Sequence, residues 1–353
     1  MTHEFKEIIQ SYQIAKQKGI PAVMATVVDV EGSSYRRPGV GMLILKNGKT
    51  VGAVSGGCVE KEVLRQSQSV FDTHIPKIMT YDGKYRLGCE GLLYILIEPF
   101  DIDDNGLQSI EQRLFSRIPF QINSIFSKEI TQGSFMRSIL TFHNGEKFSF
   151  YQSSGEVVPV LQEDEYESFE REMLPCFRLV IIGAEHDAEA LCALSNATGW
   201  EVEVICSPNA PKELSDFPGA TKIHALAPDS LEITHPDLQT AIVLMTHNFA
   251  KDLLYLQKLK DLRVAYIGLL GPARRREKLL SALIEYFPDL DDEFMEIIHG
   301  PAGLNLGAET PQEIAISIIA EILSVIRNQE PIPLQAKKGA IHDDPKRKKL
   351  DAI

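Results

Sequence analysis

Residues 178–206 read RLVIIGAEHDAEALCALSNATGWEVEVIC, and this stretch decides the fold of the second half of the chain. An apolar run closed by Gly183 is followed by a helical stretch ending at Gly199, and then by a second apolar run ending at Cys206. Strand, helix and strand at this spacing predict a βαβ unit with parallel strands, because only a crossover returns the chain in the same direction. The alternation continues through TAIVLMT, FAKDLLYLQKLKD and VAYIGLLG. Strands buried on both faces read as unbroken apolar runs, so these segments predict a Rossmann-like parallel sheet. TPQEIAISIIAEILSVIR closes the domain as a helix, with Thr310 as N-cap, Pro311 at the first position and Glu313 completing a capping box.

Upstream the pattern changes. AVMATVVDVEG predicts a strand, GMLILKNGKTVGAVSGG a hairpin turning at Asn47-Gly48, VEKEVLRQSQSVF a helix and GLLYILIEPF a further strand. SIFSKE, SFMRSILTF and EKFSFYQS suggest an antiparallel meander. The expected fold class is therefore α/β overall, a mixed α+β domain followed by a Rossmann-like one. The expected boundaries are 1–160 and 177–330, joined by a linker at 161–176 within the acidic, weakly patterned stretch 153–176, with 331–353 as a flexible tail.

The chain has 353 residues, enough for two domains with real cores at roughly 100–200 residues each. Its net charge of -13 argues against a nucleic-acid or anionic-membrane footprint. No run of 18 apolar residues suggests a membrane span, and the amphipathic start is unlike a signal peptide, so a cytoplasmic location is expected. The five cysteines, Cys58, Cys89, Cys176, Cys192 and Cys206, are scattered without a C-x-x-C pair, which suggests neither a disulfide framework nor a zinc finger.

The most informative chemistry lies in VSGGCVEKEV. Gly56 and Gly57 after Ser55 free the backbone just where a helix begins at Cys58, and unpaired N–H groups there face any nearby anion. The same field favours a thiolate, so Cys58 is a candidate nucleophile, sulfur carrier or soft-metal ligand; the alternative is a small buried residue at a turn. The loop Gly32-Ser33-Ser34-Tyr35-Arg36-Arg37 offers hydroxyls and guanidiniums to a phosphate or carboxylate, or is a solvated polar turn. Cys89, in RLGCEG, either faces the same site or packs before a strand.

In the second domain, His247 follows a parallel strand at its carboxyl end, where open α/β sheets bind ligands. It is a candidate for proton transfer, or merely a helix cap. Arg274, Arg275 and Arg276 open a helix as a phosphate clamp or a solvated face. The dinucleotide fingerprint keeps Gly183 but places Glu185 where the backbone meets pyrophosphate, and Cys206-Ser207 stand where a ribose-binding acid belongs. These features speak against NAD(P).

With these residues in view, the chain resembles the xanthine dehydrogenase accessory family, the XdhC/CoxI proteins, over nearly its whole length. The resemblance rests on GSSYRRPGVGMLI, VGAVSGGCVEKEV, LGCEGLLYILIEP, THNFAKDLLYLQKL with AYIGLLGPARRREKL, and HGPAGLNLGAETPQEIAISIIAEIL. It implies a chaperone-like carrier that binds molybdenum cofactor (molybdopterin), protects it during sulfuration and delivers it to a molybdenum hydroxylase apoenzyme of the xanthine dehydrogenase type. Cys58 matches the cysteine of the family's SGGCVE motif and so inherits a role as cofactor or molybdenum contact. Gly32, Ser33, Ser34, Arg36, Ser55, Gly56, Gly57 and Cys89 fall in the neighbouring motifs. A homodimer is implied, with a cysteine desulfurase as a further partner. The chain departs from the family pattern at Glu185, at Glu90 of Cys89-Glu90-Gly91, and in lacking Asp-Asp-Arg after the second strand. Two other readings are an NAD(P)-dependent oxidoreductase with His247 as acid/base, and a non-catalytic assembly scaffold.

Overall fold

The computed structural model describes residues 2–32, 37–82, 91–152 and 166–337, and the backbone alone of Cys58. The chain divides into two compact units, Met1–Cys176 and Phe177–Ile353.

The first unit is built on two antiparallel sheets. Strands β1 (Ala22–Glu31), β2 (Gly41–Leu45), β3 (Thr50–Gly52), β4 (Lys77–Asp82) and β5 (Leu92–Pro99) form one sheet in the order β3-β2-β1-β5-β4. The β2–β3 hairpin turns at Asn47-Gly48 as the sequence suggests, with Gly48 at φ 87° and the Asn47 side chain accepting from the Lys49 N–H. One face of this sheet is covered by α2 (Cys58–Thr73), whose Val59, Val63, Val70 and Phe71 pack on Val23, Ala25 and Val27 of β1. Against the other face lie α1 (Thr2–Gln17) and α3 (Asp104–Ser116), sharing one apolar core with the second sheet.

That second sheet comprises β6 (Phe120–Phe126), β7 (Arg137–Thr141), β8 (Lys147–Ser149) and β9 (Glu167–Met173), in the order β8-β7-β6-β9. The expected meander is β6 to β8. Strand β9 lies inside the stretch read as a linker and pairs with β6 along its whole length. Its sequence, ESFEREM, carries only Phe169 and Met173 as apolar residues, and edge strands of this kind give no burial signal.

The second unit is a six-stranded parallel sheet, β10 (Arg178–Ile182), β11 (Glu201–Cys206), β12 (Ala220–Ala225), β13 (Thr240–Leu244), β14 (Tyr266–Leu269) and β15 (Ile298–His299), in the order β12-β11-β10-β13-β14-β15. Alternate side chains face opposite ways, so α4 (His186–Ala197) and α8 (Pro311–Arg327) pack on one face. Helices α5 (Phe249–Leu259), α6 (Ala273–Tyr286) and α7 (Asp292–Glu296) pack on the other. The α/β class and the Rossmann-like sheet are as the sequence indicates. The chain reverses its direction of growth between β10 and β13, which makes that junction the topological switch point. The α8 cap is as expected: Thr310 accepts from the Glu313 N–H, and Glu313 accepts from the Thr310 N–H.

Candidate functional site

In the first sheet, pairing of Glu31 with Leu92, Asp82 with Leu92 and Gly52 with Met42 sets the ends of β1, β3 and β4 and the starts of β2 and β5 along one edge. The glycine turn at 55–57 and Gly32, at φ 82°, leave the sheet from that edge. Register therefore sets the end of β1, where Gly32 follows, beside the end of β4 and the start of β5. Ser33, Ser34, Arg36 and Cys89 themselves lie outside the described residues, as does the Cys58 side chain.

Helix α2 begins at Cys58 as expected, with Gly57 as N-cap at φ 121° and no side-chain cap. Among the described residues nothing lies within 4 Å of where a Cβ would stand at Gly56 or Gly57, so none of them blocks approach to the backbone of this turn. Ser55 is differently employed. Its N–H donates to Glu60 Oε1 at 2.7 Å and its hydroxyl to Glu60 Oε2 at 3.1 Å. Glu60, in the third position of the helix, thus folds the turn back and consumes the Ser55 donors, leaving the Gly56, Gly57 and Cys58 amides without a hydrogen-bond partner among the described residues. Sequence reasoning missed Glu60, although it stands two residues past Cys58 in the same block. Its carboxylate also stabilises the helix N-terminus and offsets part of the field that favours a thiolate.

The same edge is otherwise acidic but compensated. Lys128 lies 2.6 Å from Asp29, 3.0 Å from Glu31 and 3.4 Å from Glu167, and over the Tyr94 ring at 4.6 Å. Deeper, β5 carries Glu98 at 0% exposure. It accepts the Ser138 N–H at 2.8 Å and hydroxyl at 2.5 Å. Burial pushes its pKa up to about 7, against those hydrogen bonds and the charges of Arg137 and Arg171.

In the second unit the switch point is occupied. Gly183, at φ 133°, would carry a Cβ 2.3 Å from the Met245 carbonyl oxygen, so close approach of the two strand ends demands glycine there. Glu185 is the exposed N-cap of α4. His247, with a left-handed φ of 54°, sets its Nε2 3.4 Å from Asp187 of α4, across the switch point. The loop is fixed behind it: the Thr246 hydroxyl donates to Asp252 at 2.6 Å, and Arg275 to the other Asp252 oxygen at 2.7 Å. Asn248, not His247, caps α5. Arg275 is thus neither a free clamp nor a solvated residue, a distinction that spacing alone does not make. Cys176, Cys192 and Cys206 are buried. Among the described residues no group of three or more His, Cys, Asp or Glu side chains converges as a metal site, and no helix is long and apolar enough to cross a membrane.

Comparison with known proteins decides the family. Residues 15–82 match the model of the XdhC and CoxI family, and residues 179–322 that of the XdhC Rossmann domain. The chain belongs to the XdhC and CoxI family. A protein of Bacillus subtilis described as a probable xanthine dehydrogenase subunit is 29% identical, over 86% of this chain and 92% of its own length. The "Molybdenum cofactor insertion chaperone PaoD" of Escherichia coli is 24% identical over 94% of this chain and 91% of its own. A crystal structure described as a xanthine dehydrogenase from Bacillus halodurans superposes with a TM-score of 0.74 at 29% identity, covering 91% of this chain and 96% of that one. The XdhC and CoxI match in the first unit includes the Gly56-Gly57 turn and the start of α2.

Proposed function

We propose that this chain is an accessory protein for a molybdenum hydroxylase of the xanthine dehydrogenase type, binding molybdenum cofactor as cargo, shielding it during sulfuration and delivering it to the apoenzyme. The observation that carries the reading is the likeness to PaoD along nearly the whole of both chains. The open turn at the head of α2 supports it chemically. Molybdopterin offers a phosphate and a sulfur-rich metal centre; the Gly56, Gly57 and Cys58 amides suit the first, and a Cys58 thiolate suits the second. Gly32, Ser33, Ser34, Arg36 and Cys89 complete the site, while Ser55 holds the turn through Glu60 rather than touching cargo. The protein works in the cytoplasm as a homodimer and receives sulfur from a cysteine desulfurase.

This reading assigns no NAD(P) to the second unit, because Glu185 and Asp187 set carboxylates at the head of α4, where a pyrophosphate would lie. The test is delivery. Loaded protein mixed anaerobically with a molybdenum hydroxylase apoenzyme should restore its activity faster than an equal amount of free cofactor. Equal rates with and without the protein would rule out a carrier.

A further inference from the structure

The carboxyl edge of the parallel sheet carries a second constellation that the proposed function does not use. His299 ends β15, with its Nδ1 3.5 Å from Oε1 of Glu321 on α8. The other carboxylate oxygen accepts the Tyr266 hydroxyl at 2.5 Å and the Gly303 N–H at 2.8 Å. Burial works to raise the Glu321 pKa, but the hydrogen bonds from His299, Tyr266 and Gly303 together outweigh it, so the group stays ionised below its ordinary value. Burial and the neighbouring Glu321 raise the Tyr266 pKa, so the phenol keeps its proton and remains a donor.

Two glycines shape the backbone to this arrangement. At Gly268 a Cβ would stand 2.8 Å from the Tyr266 ring and 3.1 Å from its hydroxyl oxygen; the glycine leaves room for the ring to lie along the strand. Gly303 sits at φ 112°, and a Cβ there would meet the Ser317 hydroxyl at 2.4 Å. The His299 ring stacks on that of Tyr266, centroids 4.4 Å apart and planes at 19°. Nδ1 faces the carboxylate, Nε2 has no hydrogen-bond partner among the described residues and is the ring nitrogen left for a ligand, and the side chain is 26% exposed. A purely structural tie between α8 and the strand ends would be complete with Tyr266 and Gly303 on one oxygen. The second oxygen orients an accessible imidazole.

We propose that His299 is a general base in a small-molecule site at this edge, with Glu321 and Tyr266 as its positioning residues. Its ligand is a small polar molecule presenting a weakly acidic O–H or N–H. In the step that bond breaks, its electron pair stays on the ligand heteroatom, and the proton moves to Nε2; the imidazolium so formed is stabilised across Nδ1 by Glu321. The transfer is a proton exchange and calls for no oxidant or reductant.

The probe is diethyl pyrocarbonate, which acylates an unprotonated imidazole nitrogen and releases ethyl carbonate. The full-length protein is treated with limiting reagent at pH 8, and each histidine is followed by peptide mass spectrometry. Exposure alone ranks His186, 77% exposed, well ahead of His299. The proposal ranks His299 first, by at least about fivefold, with Glu321→Gln abolishing the lead. The titratable and charged groups facing it are Glu321 and Tyr266, with Arg276 packed on the adjoining Gly300. A His299 slower than His186 in the wild type overturns the proposal, as does an unchanged His299 rate in folded Glu321→Gln. If that variant does not fold, the wild-type ranking and Tyr266→Phe, expected to lower the His299 rate about twofold, decide the matter.

Discussion

Glu98 is the residue whose ionisation most directly opposes its burial. Its pKa stands at about 7 in the folded chain against an ordinary 4.5, so the native state holds a proton that the unfolded state has released across that interval. Stability contributed by this group is present below about pH 4.5 and lost as pH rises through about 7. The loss is on the order of 3 kcal/mol, at about 1.4 kcal/mol per pH unit. Glu98→Gln keeps an acceptor for Ser138 without the charge. Urea midpoints should fall from pH 5 to pH 8 more steeply in the wild type than in the variant; parallel lines would contradict the assignment. None of this was legible in LLYILIEP, where Glu98 looks like the end of a strand. Its burial comes from Ser138 of a sheet folded from residues beyond it, a non-local fact. Cys58 and the glycines before it were legible, because a strand, two glycines and a helix start form a local pattern. The hold of Glu60 on Ser55 was local too, but an acidic residue in a first turn reads only as dipole compensation. Gly56→Ala should leave the fold intact within about 0.5 kcal/mol, since none of the described residues lies near its Cβ position, yet weaken cargo binding by crowding the amides. Thermal unfolding and a cargo titration of the same sample check both halves.

At the level of elements, strand ends and helix caps dictate where the chemistry sits. The capping box of α8 was readable outright from Thr310, Pro311 and Glu313, and Thr310→Ala should cost about 1 kcal/mol, measured by denaturant unfolding of the second unit. Gly183 is less forgiving: alanine there meets both a φ of 133° and the Met245 carbonyl, so a loss of at least about 2 kcal/mol is expected, seen as reduced soluble yield and a lower Tm. A Gly183→Ala protein as stable as the parent would refute the close packing of β10 on β13. Some of the elements that escaped sequence reading have little apolar content of their own. Strand β9 is mostly charged and β15 is two residues long, and each exists because a more apolar neighbour offers it backbone partners. That is also why His299 could be quoted within a motif without its role being seen: its partners Tyr266 and Glu321 arrive from 33 residues before it and 22 after it.

For the whole molecule, each unit closes its own apolar cores, and the family matches fall one within each. This division supports assigning cargo to the first unit and a separate small-molecule chemistry to the second. The central claim is that the turn at 55–57 and Cys58 hold molybdenum cofactor. The most direct measurement is anaerobic incubation of the reduced full-length protein with the cofactor, removal of free ligand by gel filtration, and assay of molybdenum and pterin retained per chain in wild type and Cys58→Ala. The account predicts near-stoichiometric retention by the wild type and its loss in a variant whose unfolding curve is unchanged. Equal retention by both proteins, or none by a folded wild type, would contradict it.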